Sequence, residues 1–304
     1  MEFMSRPTPY SGLGGSVDRI PEFVSVDDLP APTDSSVGLG IGSAEPYVLD
    51  LDTESPHILV NAPTGLGKSA LARTVAVQRL AQGDLVVILD RKMHSHKWAR
   101  ELAPIVHYAD STADIGSALV NLGAELNRRN AVVRDWDGPE EEAPVGPRIV
   151  VVFEETNATL TQLKAMDKSA AQGASLAMDA FADLLFMGRS VKMHVIAFAQ
   201  LASYRSGFTA DLLENFGTRV MVGYSDKAWR WLAEDCGRYR VAPRGTGRAM
   251  VCHKGQAREV QLAFMPKESA AEYVLGSVPA QRRARELSGG RADLPPAWRT
   301  AIGR

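Results

Sequence analysis

Residues 58–75 read Ile58-Leu59-Val60-Asn61-Ala62-Pro63-Thr64-Gly65-Leu66-Gly67-Lys68-Ser69-Ala70-Leu71-Ala72-Arg73-Thr74-Val75. An apolar run, a Gly-bearing turn and a Lys-Ser pair precede a helix-forming stretch. That order is the strand–loop–helix of a phosphate-binding P-loop. Gly65 and Gly67 let the backbone curl until its N–H groups point inward at a phosphate. The N-terminus of the following helix adds a partial positive charge. Lys68 is expected to reach the β- and γ-phosphates, and the Ser69 hydroxyl to help hold Mg²⁺. The nucleotide loop thus runs Ala62, Pro63, Thr64, Gly65, Leu66, Gly67, Lys68, Ser69, Ala70. Ala62 stands where such loops usually begin with Gly. The departure is tolerable because the later glycines make the close approach to phosphate.

Working outward, Asp84–Asp90 and Arg148–Phe153 are continuous apolar runs, the mark of parallel strands buried on both faces. Met193–Ala199 is a further such run. Thr218–Gly223, Arg248–His253 and Val260–Phe264 are candidate strands, and Val37–Ile41 and Tyr47–Leu51 are two short ones ahead of the P-loop. Helical spacing covers 113–134 and 161–187, the second interrupted near Gly173, and a Trp-bearing helix spans Asp226–Cys236. Strands alternating with helices predict an α/β fold with a mainly parallel central sheet flanked by helices. In such sheets ligands sit at the carboxyl ends of the strands. Residues 1–36, rich in Pro, Ser, Asp and Gly, read as a flexible lead-in. Residues 37–266 read as the ATPase domain, and 267–304 as a helical to flexible tail carrying Arg282, Arg283, Arg285, Arg291, Arg299 and Arg304.

A chain of 304 residues can bury one large core. No run approaches the ~18 apolar residues that span a bilayer, and no apolar leader opens the chain. A cytoplasmic location is expected, with no direct membrane insertion. The net charge of −2 excludes a broadly basic surface, but not a positive channel confined to the centre of a ring. Cys236 and Cys252 have no metal spacing and read as reduced thiols. The six histidines form no zinc pattern, and His94 and His96 read as solvated members of a basic turn.

Two further constellations follow strands. Val150-Val151-Val152-Phe153 ends in Glu154-Glu155, which resembles a Walker B strand. The first acid is expected to orient Mg²⁺ and the second to polarise the attacking water. Asp is typical at the first position. Glu154 moves its carboxylate outward by ~1.5 Å, one C–C bond. Glu154→Asp is therefore expected to tighten metal geometry. Val195-Ile196-Ala197-Phe198-Ala199 ends in Gln200, an amide able to donate to a γ-phosphate and accept from water.

The order and wording of these motifs resemble the motor domain of the FtsK/SpoIIIE DNA translocases, within the HerA–FtsK group. The resemblance is carried by PHILVNAPTGLGKS (56–69), VVILDRKM (86–93), AELNRRNAV (124–132), IVVVFEE (149–155), GRSVKMHVIAFAQ (188–200) and GTGRAMV (245–251). It covers roughly residues 37–265. It implies a RecA-like P-loop NTPase fold and ATP hydrolysis with Mg²⁺. It makes Lys68 and Ser69 the Walker A pair, Glu154 and Glu155 the Walker B acids, with Ser69 and Glu154 at the metal, and Gln200 the sensor. Arg189 matches the family's Arg before the sensor strand, and Arg128-Arg129 its basic helix. Either is a candidate arginine finger acting across a subunit boundary.

What the resemblance implies in partners is double-stranded DNA, a homo-oligomer of hexamer type, and a membrane-anchored protein supplying attachment, in a setting such as conjugation. Lys164 and Lys168 after Walker B, and Arg205 after the sensor, are the candidate DNA contacts. Glu154 departs from the family's Asp. With only residues 267–304 after the motor, the winged-helix domain of the family's long members is not expected. Protein secretion, DNA packaging and a poorly hydrolysing nucleotide-dependent scaffold are the competing functions.

Overall fold

The computed structural model describes residues 19–169, 176–200 and 208–288, with the side chains of 167–169 left out. One sheet holds β1 (Ser36–Ile41), β2 (Pro46–Asp50), β3 (His57–Asn61), β4 (Leu85–Leu89), β5 (Val106–Ala109), β6 (Ile149–Phe153), β7 (Met193–Ala199), β8 (Thr218–Met221), β9 (Arg248–His253) and β10 (Gln256–Leu262). Their order is β2-β1-β10-β9-β8-β3-β7-β6-β4-β5. The block β8-β3-β7-β6-β4-β5 is parallel; β9, β10, β1 and β2 extend it antiparallel. Every residue of β3, β4, β6 and β7 is buried. That is why these strands read as unbroken apolar runs, whereas a strand with one wet face would alternate.

The helices are α1 (Lys68–Ala81), α2 (Thr112–Arg134), α3 (Thr156–Ser169), α4 (Leu176–Met187), α5 (Ala210–Glu214), α6 (Asp226–Leu232), α7 (Ala270–Leu275) and α8 (Val278–Ser288). From β3 to β4 the chain crosses the sheet in one direction; from β5 to β6 and from β6 to β7 it returns. Right-handed crossovers then put α1 on one face and α2, α3 and α4 on the other. The packing agrees: α1 meets α7 and α8, while α2 meets α3 and α4. The direction of travel changes beside β3, the strand that leads into the P-loop, so the loop opens at a topological switch point.

The α/β class and mainly parallel sheet expected from sequence are present. One strand escaped the sequence reading. β5 is four residues long, an edge strand whose His107 and Tyr108 are half-buried, so it lacks an apolar run. The break in the second helical region near Gly173 lies outside the described residues. Within the described part of the expected flexible lead-in, residues 24–36 are packed against the domain. Val24 and Val26 are buried, their backbones bonded to Phe264, and Arg79 gathers the carbonyls of Thr33, Asp34 and Ser36. The tail is likewise packed through α8, where Leu287 is buried and Arg283 donates to the Gly83 carbonyl. Arg291, Arg299 and Arg304 lie outside the described residues. Among the described residues no helix is long and apolar enough to cross a membrane.

Arg129 shows how the basic helix is used. It is fully buried, donating to Glu125 at 2.7 Å and to the carbonyls of Val191 and Pro147 at 2.9 and 2.8 Å. These bonds tie α2 to the entries of β6 and β7. Its N–H groups are committed inside one subunit, so Arg129 is a brace for the fold and cannot reach a neighbouring nucleotide. Arg128 donates to Glu125 and to the Val145 carbonyl. Arg129→Ala leaves the buried Glu125 carboxylate short of its partner and is expected to cost about 3–5 kcal/mol. Arg129→Met with Glu125→Leu is expected to recover most of that loss, since both charges go together. Urea unfolding of the two variants checks this.

Candidate active site

Gly65 and Gly67 have φ of +84° and +89°, and a Cβ on either would meet nothing within 4 Å. The glycines are required by backbone conformation, not by crowding. Gly67 is the N-cap of α1 in the left-handed region, with no side-chain cap on the first turn. The N–H groups there are left for an anion. Ala62 is buried, and its N–H is taken up by Ala199 O. Lys68 is buried and donates from Nζ to Ala62 O at 2.7 Å. Burial lowers its pKa, Glu155 opposes that, and Lys92 adds to it.

The carboxyl ends of β4, β6 and β7 converge on this loop. Glu155 lies 3.8 Å from Lys68 Nζ and 2.5 Å from Lys92 Nζ, and its Oε2 accepts from Gln200 Nε2 at 2.9 Å. Its φ is +48°, a left-handed conformation that costs a non-Gly residue energy. The turn into α3 holds it there: Glu155 O accepts from Thr159 N and Oγ1. Burial by itself would raise the Glu155 pKa. The hydrogen bonds from Lys92 and Gln200 and the charges of Lys92 and Lys68 outweigh it and hold the carboxyl below its ordinary range.

Lys92 is a residue that the sequence reading quoted in a motif without giving it a role. The placing of Lys92 two residues after Asp90 has a local reason. The buried Asp90 accepts from Lys92 N at 3.1 Å, Ser95 N at 2.9 Å and Tyr108 Oη at 2.7 Å. This curls the loop after β4 so that Lys92 returns over the sheet edge.

His96 corrects an expectation. It is completely buried, not solvated. Trp98 Nε1 donates to its Nδ1 at 3.3 Å, so the ring carries its proton on Nε2, which donates to Glu154 Oε1 at 3.0 Å. Glu154 is also completely buried, and its Oε2 has no hydrogen-bond partner among the described residues. The long side chain at the Asp position therefore has a tether of its own. Shortening it by ~1.5 Å breaks the His96 bond. Glu154→Asp, expected from sequence to tighten metal geometry, would give up this bond.

Other expected residues fall elsewhere. Arg189 is exposed, in a turn just before β7, at the edge opposite the P-loop, and its Nε donates to Asp52 O at 2.8 Å. Lys164 is exposed on α3. The Lys168 side chain and Arg205 lie outside the described residues. Pro63 and Thr64 are exposed, and Leu66, Ser69 and Ala70 half-buried, around the loop. A cleft of about 780 Å³ between the β1–β2 hairpin and the start of β10 holds none of these residues.

Neither a protein-family model nor a curated protein matches the chain. Solved structures do share its fold. The pCW3 conjugation coupling protein TcpA, in monomer form with ATPγS, superposes with a TM-score of 0.72 at 20% identity, over 85% of this chain and 75% of that one. EssC from Geobacillus thermodenitrificans (ATPases 2 and 3) gives 0.62 at 17%, over 91% and 55%. The cytoplasmic domain of the type VII secretion ATPase EccC of Thermomonospora curvata gives 0.60 at 16%, over 88% and 32%. The chain thus spans three quarters of TcpA and about half or less of the secretion ATPases. The chain shares the fold of these solved structures.

The lowered Glu155 pKa has a consequence in acid. Folded, Glu155 takes up its proton less readily than when unfolded. Its contribution to stability is complete above the ordinary glutamate range and is lost as pH falls through the lowered folded value. Lys92→Met removes a leading opposing interaction, so the carboxyl is expected to titrate at higher pH. A carboxyl-carbon NMR titration of wild type and Lys92→Met measures the shift.

Proposed function

We propose that the chain is the ATP-hydrolysing subunit of a ring, of hexamer type, that drives double-stranded DNA through its centre, as in conjugative transfer. The observation that carries the ATPase part is the meeting of Lys68, Lys92, Glu155 and Gln200 at the mouth of one P-loop. In this reading Lys68 and Lys92 take the β- and γ-phosphate charge that Glu155 balances in their absence. Glu155 is the base that polarises water, and Gln200 reports the γ-phosphate to it. The Ser69 hydroxyl and the unpartnered Glu154 Oε2 fit a hard, oxygen-seeking cation, so these two residues would hold Mg²⁺. When bound it neutralises charge on the β- and γ-oxygens. His96 keeps the Glu154 oxygen aimed at that place.

Arg189, at the opposite edge from its own P-loop, serves as finger for a neighbour's nucleotide. That is what makes the ring the working unit. Residues 37–266 form the motor, which acts on the cytoplasmic side with membrane attachment supplied by a partner. Likeness to a conjugation coupling protein supports DNA as cargo, with Lys164, Lys168 and Arg205 as channel contacts. Likeness to EssC and EccC supports the second reading, a motor for secreted protein. ATP turnover with and without duplex DNA tests the proposal. Strong stimulation by duplex supports translocation; stimulation by a protein partner alone supports secretion.

Lys68→Ala is expected to abolish turnover in a folded chain. Glu155→Gln is expected to bind ATP and accumulate ATP-held oligomers without turnover. Glu154→Asp is expected to lower turnover by about tenfold, the scale of losing a group that orients a metal ligand. Steady-state phosphate release and size-exclusion profiles with ATP distinguish the three.

A further inference from the structure

The connection from β2 to β3 lies at the end of the sheet opposite the P-loop, and it is pinned from several sides. Asp50 Oδ1 accepts from Asp52 N at 2.9 Å and from Thr53 N at 2.8 Å, while Asp50 Oδ2 accepts from Ser35 Oγ. The Asp52 carboxylate accepts from Arg148 Nη2. Arg148 is itself buried beside His194, and its Nη1 donates to Asp34 O at 2.7 Å. The backbone of Asp52 is thus fixed both by its neighbour Asp50 and by a guanidinium at the entry to β6.

Arg189 leans on this turn, its Nε donating to Asp52 O at 2.8 Å. The turn that carries Arg189 is also rigid. A Cβ on Gly188 would stand 2.4 Å from both Leu184 O and Met193 O, so the end of α4 and the start of β7 meet there at backbone contact. Met193 N donates to Gly188 O at 2.9 Å, and Arg129 Nη1 donates to Val191 O at 2.9 Å from beneath. The two Nη groups of Arg189 have no hydrogen-bond or ion-pair partner among the described residues. The stem of an exposed arginine is therefore held by Nε while its charged fork is left open. Holding the stem removes conformational freedom before any partner arrives.

We propose that Asp52 is a positioning residue for Arg189. Its carbonyl holds Arg189 Nε, and its carboxylate, locked to Arg148, keeps that carbonyl in place, so that the free Nη groups are aimed at the γ-phosphate of a neighbouring subunit's nucleotide. The inference rests on the reading of Arg189 as a finger. A guanidinium that stabilises charge in a transition state has to be placed closely, and a misplacement of about 1 Å can cost about a hundredfold in rate. The buried ion pair at the amino ends of the strands supplies that placement for an otherwise exposed side chain.

Steady-state turnover and ATPγS affinity of the full chain, alone and mixed with Glu155→Gln protomers, test this. Asp52→Asn keeps the shape of the side chain but removes the charge that holds Arg148. Asp50→Ala loosens the same turn without touching the buried pair, and it carries the test if Asp52→Asn does not fold. Each variant is expected to cut turnover by about ten- to a hundredfold. ATPγS affinity is expected to stay unchanged, because a finger acts in the transition state and not on bound nucleotide. Mixing with Glu155→Gln is expected to restore part of the turnover, since that protomer presents an intact Arg189 to a neighbour whose pocket is intact. A residue that only stabilised its own subunit would not be rescued. If Arg189→Ala loses turnover and is rescued by mixing, while both turn variants keep the wild-type rate or lose it beyond rescue, positioning by Asp52 is overturned and the finger reading stands. If Arg189→Ala turns over like wild type, or is not rescued, both are overturned.

Discussion

The contact between Lys92 and Glu155 organises the site. These residues come from loops after two different strands, β4 and β6, and meet at 2.5 Å. Gln200, from the end of β7, closes on the same carboxylate. Side chains following three different strands thus meet at one acid beside the P-loop. Glu155 is held at φ +48°. Strain of this kind persists where surrounding structure over-determines the conformation. Here the α3 turn and the three polar partners do so. Asp90 completes the constraint by shaping the loop that delivers Lys92.

Charges elsewhere in the fold serve a different end. Arg79, Arg129 and Arg148 are buried, and each spends its guanidinium on backbone carbonyls and one or more carboxylates of its own subunit. Arg148 and Asp52 anchor the start of the parallel block, beside His194. Burial lowers the His194 pKa, Asp52 opposes that, and Arg148 reinforces it. Buried pairs like these contribute little net stability beyond an apolar replacement, but removing one member is costly. They set which strand ends lie together. Arg189 differs in being exposed, with one bond to Asp52 O, and that separates it from the bracing arginines.

The antiparallel half of the sheet is more than an edge cover. It buries the lead-in through Val24, Val26 and Phe264, and it carries Gln261 to the side of the P-loop. A purely parallel block would leave that side of the loop open to solvent. The phosphate loop lies at the ends of the parallel strands, and the cavity beside it is also lined by residues of the antiparallel half.

The features contained in continuous stretches were legible in the sequence. The P-loop, the Glu154-Glu155 pair and Gln200 each follow an apolar run buried on both faces, and burial of that kind leaves a pattern that composition alone reveals. Their sequence order implied the α/β sheet. What folding alone decided is which distant side chains meet. His96 sits in a run of Ser, His, Lys and Trp that reads as solvated, yet it is buried because Glu154, 58 residues onward, needs a donor. Arg129 looked like a finger because Arg-Arg on a helix carries no sign of which face is buried. Gln261 stands in β10, paired on both sides, and only the packed sheet shows that its amide donates to Thr246 O near the cavity beside Gly65. Periodicity records how much of a residue is buried; the partner that a buried polar atom finds is a property of the packed sheet.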